Sequence, residues 1–196
     1  MNIGILGGGN VGSRLATLCR NAGHDVVVGS RRGDTPLAAA ARHGDVVVLA
    51  IHYHAVAAAV LALRSDLAGK IVVDATNPLQ DDWSPLPLGD AHSAGEAVAT
   101  LLPDSRVVKA FNTVFADTMT PTGLDRRGAK VTTFVAGDFP EAVDCVASLA
   151  ASLGFQPETL STLSAARHLE ALAHLNIALA VAEGGGTDAA FVYHRG

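Results

Sequence analysis

The tightest constraint on the fold lies in the first dozen residues, where the apolar run Ile3-Gly4-Ile5-Leu6 passes directly into Gly7-Gly8-Gly9-Asn10-Val11-Gly12. Gly7, Gly9 and Gly12 have the G-x-G-x-x-G spacing. Apolar Val11, Leu15, Leu18, Cys19 and Ala22 follow at helical intervals, and a second apolar run, Val26-Val27-Val28, returns to the turn. In such a strand–turn–helix–strand unit each glycine has a task. The first permits a tight turn, the second lets a pyrophosphate approach the backbone, and the third lets helix pack on strand. The helix start adds unpaired N–H groups and a partial positive charge. A bare glycine triplet would say little. Framed on both sides, it predicts a dinucleotide site built on Gly7, Gly8, Gly9, Asn10, Val11 and Gly12 rather than a merely structural turn.

The end of the second strand indicates which dinucleotide. An NAD site usually carries Asp or Glu there to accept from the ribose 2′-OH. This chain has Gly29-Ser30-Arg31-Arg32 instead, and Asp25 stands at the wrong end of the strand. A hydroxyl and two guanidinium groups suit a 2′-phosphate, because Arg pairs with phosphate bidentately and stacks on adenine. Ser30, Arg31 and Arg32 are therefore assigned to NADP, against the plainer reading of a solvated Arg pair.

With 196 residues, 49% of them apolar, the chain can bury a substantial core as one domain. Its net charge of −5, with no basic run beyond Arg31-Arg32 and Arg126-Arg127, argues against nucleic acid as a partner. Cys19 and Cys145 fall on apolar helical faces without metal or redox spacing, which suggests a reducing compartment. No signal peptide or bilayer-length apolar run is visible, so a soluble cytoplasmic protein with no membrane contact is expected.

The first helix is expected to end at Gly23. Thr35 and Pro36 read as cap and first residue of a short helix over residues 37–42. A buried strand over 45–51 follows so soon that the usual helix, strand and helix between strands two and four cannot fit, and this edge of the sheet is trimmed. A helix over 54–68 should bury Val56, Val60, Leu63 and Leu67, followed by a strand over 71–75 and a long loop to Asp90 containing Trp83. Ser93 and Glu96 form a capping box for a helix to Leu102. Strands over 106–110, 131–135 and near 155–160 follow, with a helix capped by Asp138-Phe139-Pro140-Glu141 whose core face is Val143, Val146, Ala150 and Leu153. Ser164 is read as the cap of a nearly all-apolar last helix, about 164–182, which a second subunit would cover in a homodimer. The fold class is α/β: a Rossmann-type, doubly wound, mostly parallel sheet with a trimmed edge and a C-terminal helical appendage, residues 1–196 making a single domain.

The glycine turn, Gly23-His24-Asp25-Val26-Val27-Val28-Gly29-Ser30-Arg31-Arg32, Asp74-Ala75-Thr76-Asn77-Pro78-Leu79, Val107-Val108-Lys109-Ala110-Phe111-Asn112-Thr113, Ala136-Gly137-Asp138 and Ala166-Arg167-His168-Leu169-Glu170 together resemble the coenzyme F420-dependent NADP oxidoreductases over nearly the whole chain. The Ser-Arg-Arg and Ala-Phe-Asn-Thr segments are the more specific pieces. The resemblance implies a homodimer that stacks nicotinamide on the deazaflavin F420 and passes hydride between them. The cytosolic domains of six-transmembrane metalloreductases, which pass electrons from NADPH to a flavin, are similar in the same places. Two departures stand out: the trimmed edge, and Ile51-His52-Tyr53-His54 where the family commonly has proline and tryptophan.

Ligands of an open α/β sheet sit beyond the carboxyl ends of its strands. That gathers Ile51, His52, Thr76, Asn77 and Pro78 with the glycines as cofactor-binding residues, and His52, Tyr53 and Asn112 on the substrate side. Ser164 and Arg167 are read either as meeting the acidic tail of F420 or as a plain helix cap beside an exposed Arg. Hydride transfer between two bound cofactors needs distance, facing and exclusion of water, so no catalytic residue is obligatory. Asn77, Asn112 and Thr113 would orient the rings. His52 and His54 are read as a pocket-wall pair rather than metal ligands, and no metal is expected. Lys109 is read as a surface or cofactor-edge lysine rather than a catalytic one, and Trp83 as either a lid or a loop anchor. The alternatives to F420 reduction are an NADPH:flavin or other NADPH-dependent reductase, and a non-catalytic NADP-sensing module.

Overall fold

Alternation of side chains along each strand builds two cores, one on either face of a central sheet. The computed structural model describes residues 1–88 and 92–195. The elements begin with β1 (Asn2–Leu6), α1 (Asn10–Asn21), β2 (Asp25–Gly29), α2 (Leu37–His43) and β3 (Val46–Leu49). They continue through α3 (Val56–Ala62), α4 (Arg64–Leu67), β4 (Ile71–Asp74), α5 (Ala94–Leu101) and β5 (Arg106–Ala110). A small hairpin of β6 (Asp125–Arg126) and β7 (Ala129–Lys130) precedes β8 (Thr132–Gly137), α6 (Pro140–Ser152), β9 (Gln156–Leu160) and α7 (Ala166–Ile177).

The main sheet has the order β2-β1-β3-β4-β5-β8-β9. The first five strands are mutually parallel, and β8 runs antiparallel to β5. Ile3, Ile5, Val46, Val48, Val73 and Val108 face α1 and α6, whereas Leu6, Val47, Leu49, Val72 and Val107 face α2, α3 and α5. The sheet is thus wound on both sides. β2 forms an edge directly beside β1, with no third strand outside it, as the short β2–β3 spacing requires. α2 compensates by lying very close to the sheet. A Cβ on Gly4 would come within 2.1 Å of the Ala40 carbonyl oxygen.

Local signals placed most elements correctly, and tertiary contacts moved several boundaries. The expected helix over 54–68 is split: a 3₁₀ turn (Tyr53–Ala55) leads into α3, and Leu63 separates α3 from α4. Val56, Val60, Leu63 and Leu67 are all buried nonetheless. Pro36, not Thr35, occupies the N-cap of α2. Asp138 does not cap α6. Its carboxylate instead accepts from the Leu163 N–H at 2.7 Å, pinning the start of the C-terminal helical segment. Ser164 sits inside the 3₁₀ turn Leu163–Ala165 and makes no cap, because that turn feeds straight into α7. α7 then widens into a π-helical turn (Ala178–Ala182), leaving Leu175, Leu179 and Val181 about half exposed. Residues 89–91, which include the end of the loop expected to reach Asp90, lie outside the described residues.

The largest correction concerns Lys109. It is neither at the surface nor at a cofactor edge but fully buried, pointing from β5 toward α5 and α7. Its ammonium donates to Asp74 Oδ2 at 2.9 Å and to the Thr76 carbonyl at 2.7 Å, and lies 2.8 Å from Glu170 Oε1. Glu170 also accepts from the Ala94 and Gly95 N–H groups at the start of α5, where a negative charge is favoured. Burial alone would lower the lysine pKa, but the two carboxylates outweigh it and raise it, so the group stays charged. Breaking a buried ion pair from one side strands the remaining charge, at a cost of about 3–5 kcal/mol. Lys109→Met, which keeps the aliphatic stem, should lower unfolding free energy by about that amount in urea titration; a change within experimental error would show that the cluster contributes nothing net.

Candidate functional site

The turn after β1 is set by sterics. Gly7 adopts φ +122°, and a Cβ there would meet the Ala50 carbonyl oxygen at 2.2 Å. A Cβ on Gly12 would lie 2.0 Å from the Gly7 carbonyl oxygen, so helix and turn touch through bare backbone. Gly9 differs, since a Cβ there would meet nothing within 4 Å. The turn is closed where it packs on protein and open where it faces solvent, at the start of the 12-residue helix α1. That is a cradle for an anion approached by backbone N–H groups.

A cleft of about 860 Å³ runs from this turn along the carboxyl ends of the parallel strands. Gly7, Gly8, Gly9, Asn10 and Val11 line it from the first turn, and Ser30, Arg31 and Arg32 from the end of β2. Ile51, His52 and Tyr53 follow β3; Thr76 and Asn77 follow β4; Asn112 and Thr113 follow β5. Gly12 and Pro78 are not in the lining. Gly12 is buried behind the turn. Ser164 and Arg167 are also outside it. The Arg167 guanidinium is taken by Glu96, through contacts of 2.9 and 2.6 Å. Glu96 in turn accepts the Ser93 hydroxyl at 2.7 Å, while Ser93 Oγ caps the Glu96 N–H. The Glu96 carboxyl is held below its usual range, by the Arg167 hydrogen bond first.

Two polar turns form the floor. Asp74 closes β4 and its Oδ1 accepts from both the Thr76 N–H and the Thr76 hydroxyl. Lys109 holds the Thr76 carbonyl, so the buried ion cluster fixes this turn from beneath. Phe111 directly follows β5 at φ +66°, an unusual backbone for a large residue, with its N–H on Thr133 Oγ1. This bend carries Asn112 and Thr113 to the cleft. Asn77 Nδ2 donates to the Asn112 carbonyl, and Asn112 Nδ2 donates back to Asn77 Oδ1. Asn112 and Thr113 line the cleft, while their Oδ1 and Oγ1 atoms are themselves buried and have no partner among the described residues. Buried polar atoms are rarely left so. Ser30 Oγ already accepts from the Gly33 N–H and retains its own hydrogen to donate.

His52 and His54 also line the cleft with stacked rings, 5.6 Å between centroids and 13° between planes. They lie at the 3₁₀ turn rather than on a strand, so rotation around that turn brings the rings together. Burial, and then the charges of Glu170 and Asp74, push the Tyr53 hydroxyl above its usual pKa, so it remains a neutral donor. Among the described residues no cluster of His, Cys, Asp or Glu is arranged to hold a metal, and no helix is long and apolar enough to cross a membrane.

The fold has counterparts among known proteins. Residues 2–43 and 34–78 match the family model described as "NADP oxidoreductase coenzyme F420-dependent". A crystal structure assigned as an F420-dependent NADP reductase from Arthrobacter superposes with a TM-score of 0.86 at 30% identity, each chain covering 100% of the other. The chain belongs to the F420-dependent NADP oxidoreductase family. The F420-dependent NADP reductase of Methanothermobacter marburgensis is 28% identical over 91% of this chain and 92% of its own. Metalloreductase STEAP3 of Rattus norvegicus is 33% identical over 87% of this chain, which spans only 36% of that protein's length.

The family's shared turn separates two roles of glycine. Gly7→Ala must strain the backbone and displace Ala50, so it should cost stability by roughly 2 kcal/mol or more. Gly9→Ala fills open space, so thermal unfolding should stay within about 0.5 kcal/mol of the parent while nucleotide affinity falls. Calorimetry of the two variants with and without NADPH reads both effects. Equal destabilisation by the two, with affinity intact, contradicts the cradle.

Proposed function

We propose that this family member binds NADP(H) along the carboxyl edge of the sheet and transfers a hydride between it and a flat tricyclic co-substrate, coenzyme F420. The observation that carries the reading is one continuous cleft. It has an open glycine cradle in the middle, guanidinium groups at one end and the residues Asn77, Asn112 and Thr113 at the other.

When bound, the coenzyme supplies a hydride donor at its nicotinamide carbon C4. The chain's own residues bind and orient. Gly8, Gly9, Asn10 and Val11 present backbone N–H groups to the pyrophosphate. Ser30, Arg31 and Arg32 receive the 2′-phosphate. The Asn77–Asn112 pair and Thr113 border the nicotinamide end and orient the ring. No side chain has to carry a proton, since hydride transfer between stacked rings depends on facing and exclusion of water. A second copy of the chain covering Leu175, Leu179 and Val181, and a cytoplasmic setting, belong to the same reading.

One observation favours a second reading, reduction of a flavin that lacks a long acidic tail. Arg167, the cation expected to meet that tail, is held by Glu96 away from the cleft. Anaerobic mixing of the protein with NADPH and then F420, FMN or riboflavin separates the cases. Bleaching of the deazaflavin band supports F420, and flavin-only turnover supports the second reading. NADPH binding without turnover of any acceptor leaves a nucleotide-sensing module. Coenzyme choice is tested separately. Charged hydrogen bonds contribute about 1.5–3 kcal/mol, so Arg31→Ala should weaken NADPH about 10- to 100-fold and leave NADH nearly unchanged. Equal losses for both would place the 2′-phosphate elsewhere.

A further inference from the structure

The cleft has opposite charge at its two ends. Arg31 and Arg32, with His52 and His54 beside them, belong to the turns after β2 and β3. Asp81 and Asp117 line the turns after β4 and β5. In the sheet order those strands stand three and four places from β2, or about 14 and 19 Å at the usual strand spacing. Both carboxylates are exposed, and neither meets a cation among the described residues. Asp117 Oδ2 accepts only the Thr187 hydroxyl, at 2.5 Å. The lining of this end contains no Lys or Arg.

Trp83 lines the same end. It is the chain's single tryptophan and is 50% exposed. Its loop is not loose. Leu79 bridges to Pro85, the Gln80 N–H donates to the Ser84 carbonyl, and the Trp83 N–H donates to the Gln80 carbonyl. The Asp82 carboxylate closes the tip by accepting from both the Ser84 N–H and hydroxyl. The tip therefore holds Trp83 at φ +70° with its indole uncovered at the cleft. An aromatic face placed this way is a stacking platform for another ring.

We infer that the acceptor half of the cleft selects a flat aromatic ring without an anionic tail: Trp83 stacks on the ring, and Asp81 and Asp117 repel negatively charged substituents. This rests on the second reading above, NADPH-dependent reduction of a flavin, and against the F420 reading it narrows the co-substrate to a neutral, flavin-like ring.

Riboflavin and FMN share one ring system and differ by a phosphate, so they isolate the charge. Two readouts are taken on the whole chain: Trp83 fluorescence quenching by each flavin in the presence of saturating NADP+, and NADPH oxidation with each flavin. Repulsion of a phosphate by two nearby carboxylates should make riboflavin about tenfold tighter than FMN at low salt. The gap should close at high salt and in the Asp81→Asn/Asp117→Asn variant, which keeps the Thr187 hydrogen bond. Trp83→Ala should lower kcat/KM for riboflavin several-fold without changing NADPH affinity, and Trp83→Phe should restore most of it. FMN binding as tightly as riboflavin, or a preference indifferent to salt and to the Asn substitutions, overturns the inference. Selective quenching by riboflavin with no NADPH oxidation would sink the hydride-transfer reading while leaving the ring selection standing.

Discussion

A single buried ammonium holds the molecule together at the place where it matters most. Lys109 joins β5 to the end of β4 through Asp74, to α7 through Glu170, and to the Thr76 carbonyl of a cleft-lining turn. One positive and two negative charges would leave the cluster with an excess negative charge. Glu170 spreads that charge onto two N–H groups at the start of α5, where the helix dipole favours it. Every member thus has a partner, the condition under which buried charge is tolerated. The cluster is geometric as much as energetic. It sets the height of the Thr76–Asn77 turn, and Asn77 sets the orientation of Asn112.

Much of this was legible from residues alone, because the signals concerned were local. The glycine spacing, the valine-rich runs and the β2–β3 interval were enough for the winding, the cleft edge and the missing outer strand. Arg31 and Arg32 line the cleft at the end of β2. What escaped was long-range. Lys109 looks like a polar interruption in Val107-Val108-Lys109-Ala110, and only the fold brings Asp74 and Glu170 to it. Asp138 stands where a helix cap is expected, yet a backbone N–H 25 residues away claims it. Arg167 lies at a helix start suited to meeting an anion, and Glu96 of the chain itself supplies one.

The C-terminal segment is the other feature without a sequence signal. Asp188 pairs with Arg126, the Phe191 carbonyl accepts the Thr132 N–H, and the Tyr193 N–H donates to Thr132 Oγ1. β5 pairs only with the far half of β8, residues 135–137, so the near half has unclaimed backbone groups. The segment fills part of that gap with an edge-on Tyr193–Phe134 contact. Nothing in its composition distinguishes it from an unstructured tail. Its order comes from the vacancy that β8 leaves.

The reversal of β8 also gives the crevice a shape that five parallel strands alone would not. A sixth parallel strand would send another turn out over the same rim and lengthen the groove. Because β8 runs the other way, its opening residues stand there instead, and Thr133 is spent on bracing the Phe111 bend. Past the fifth strand the trough is walled by Ala173, Asn176 and Ile177 of α7 and by Thr187. Its mouth opens between the loops that carry Trp83 and Asp117.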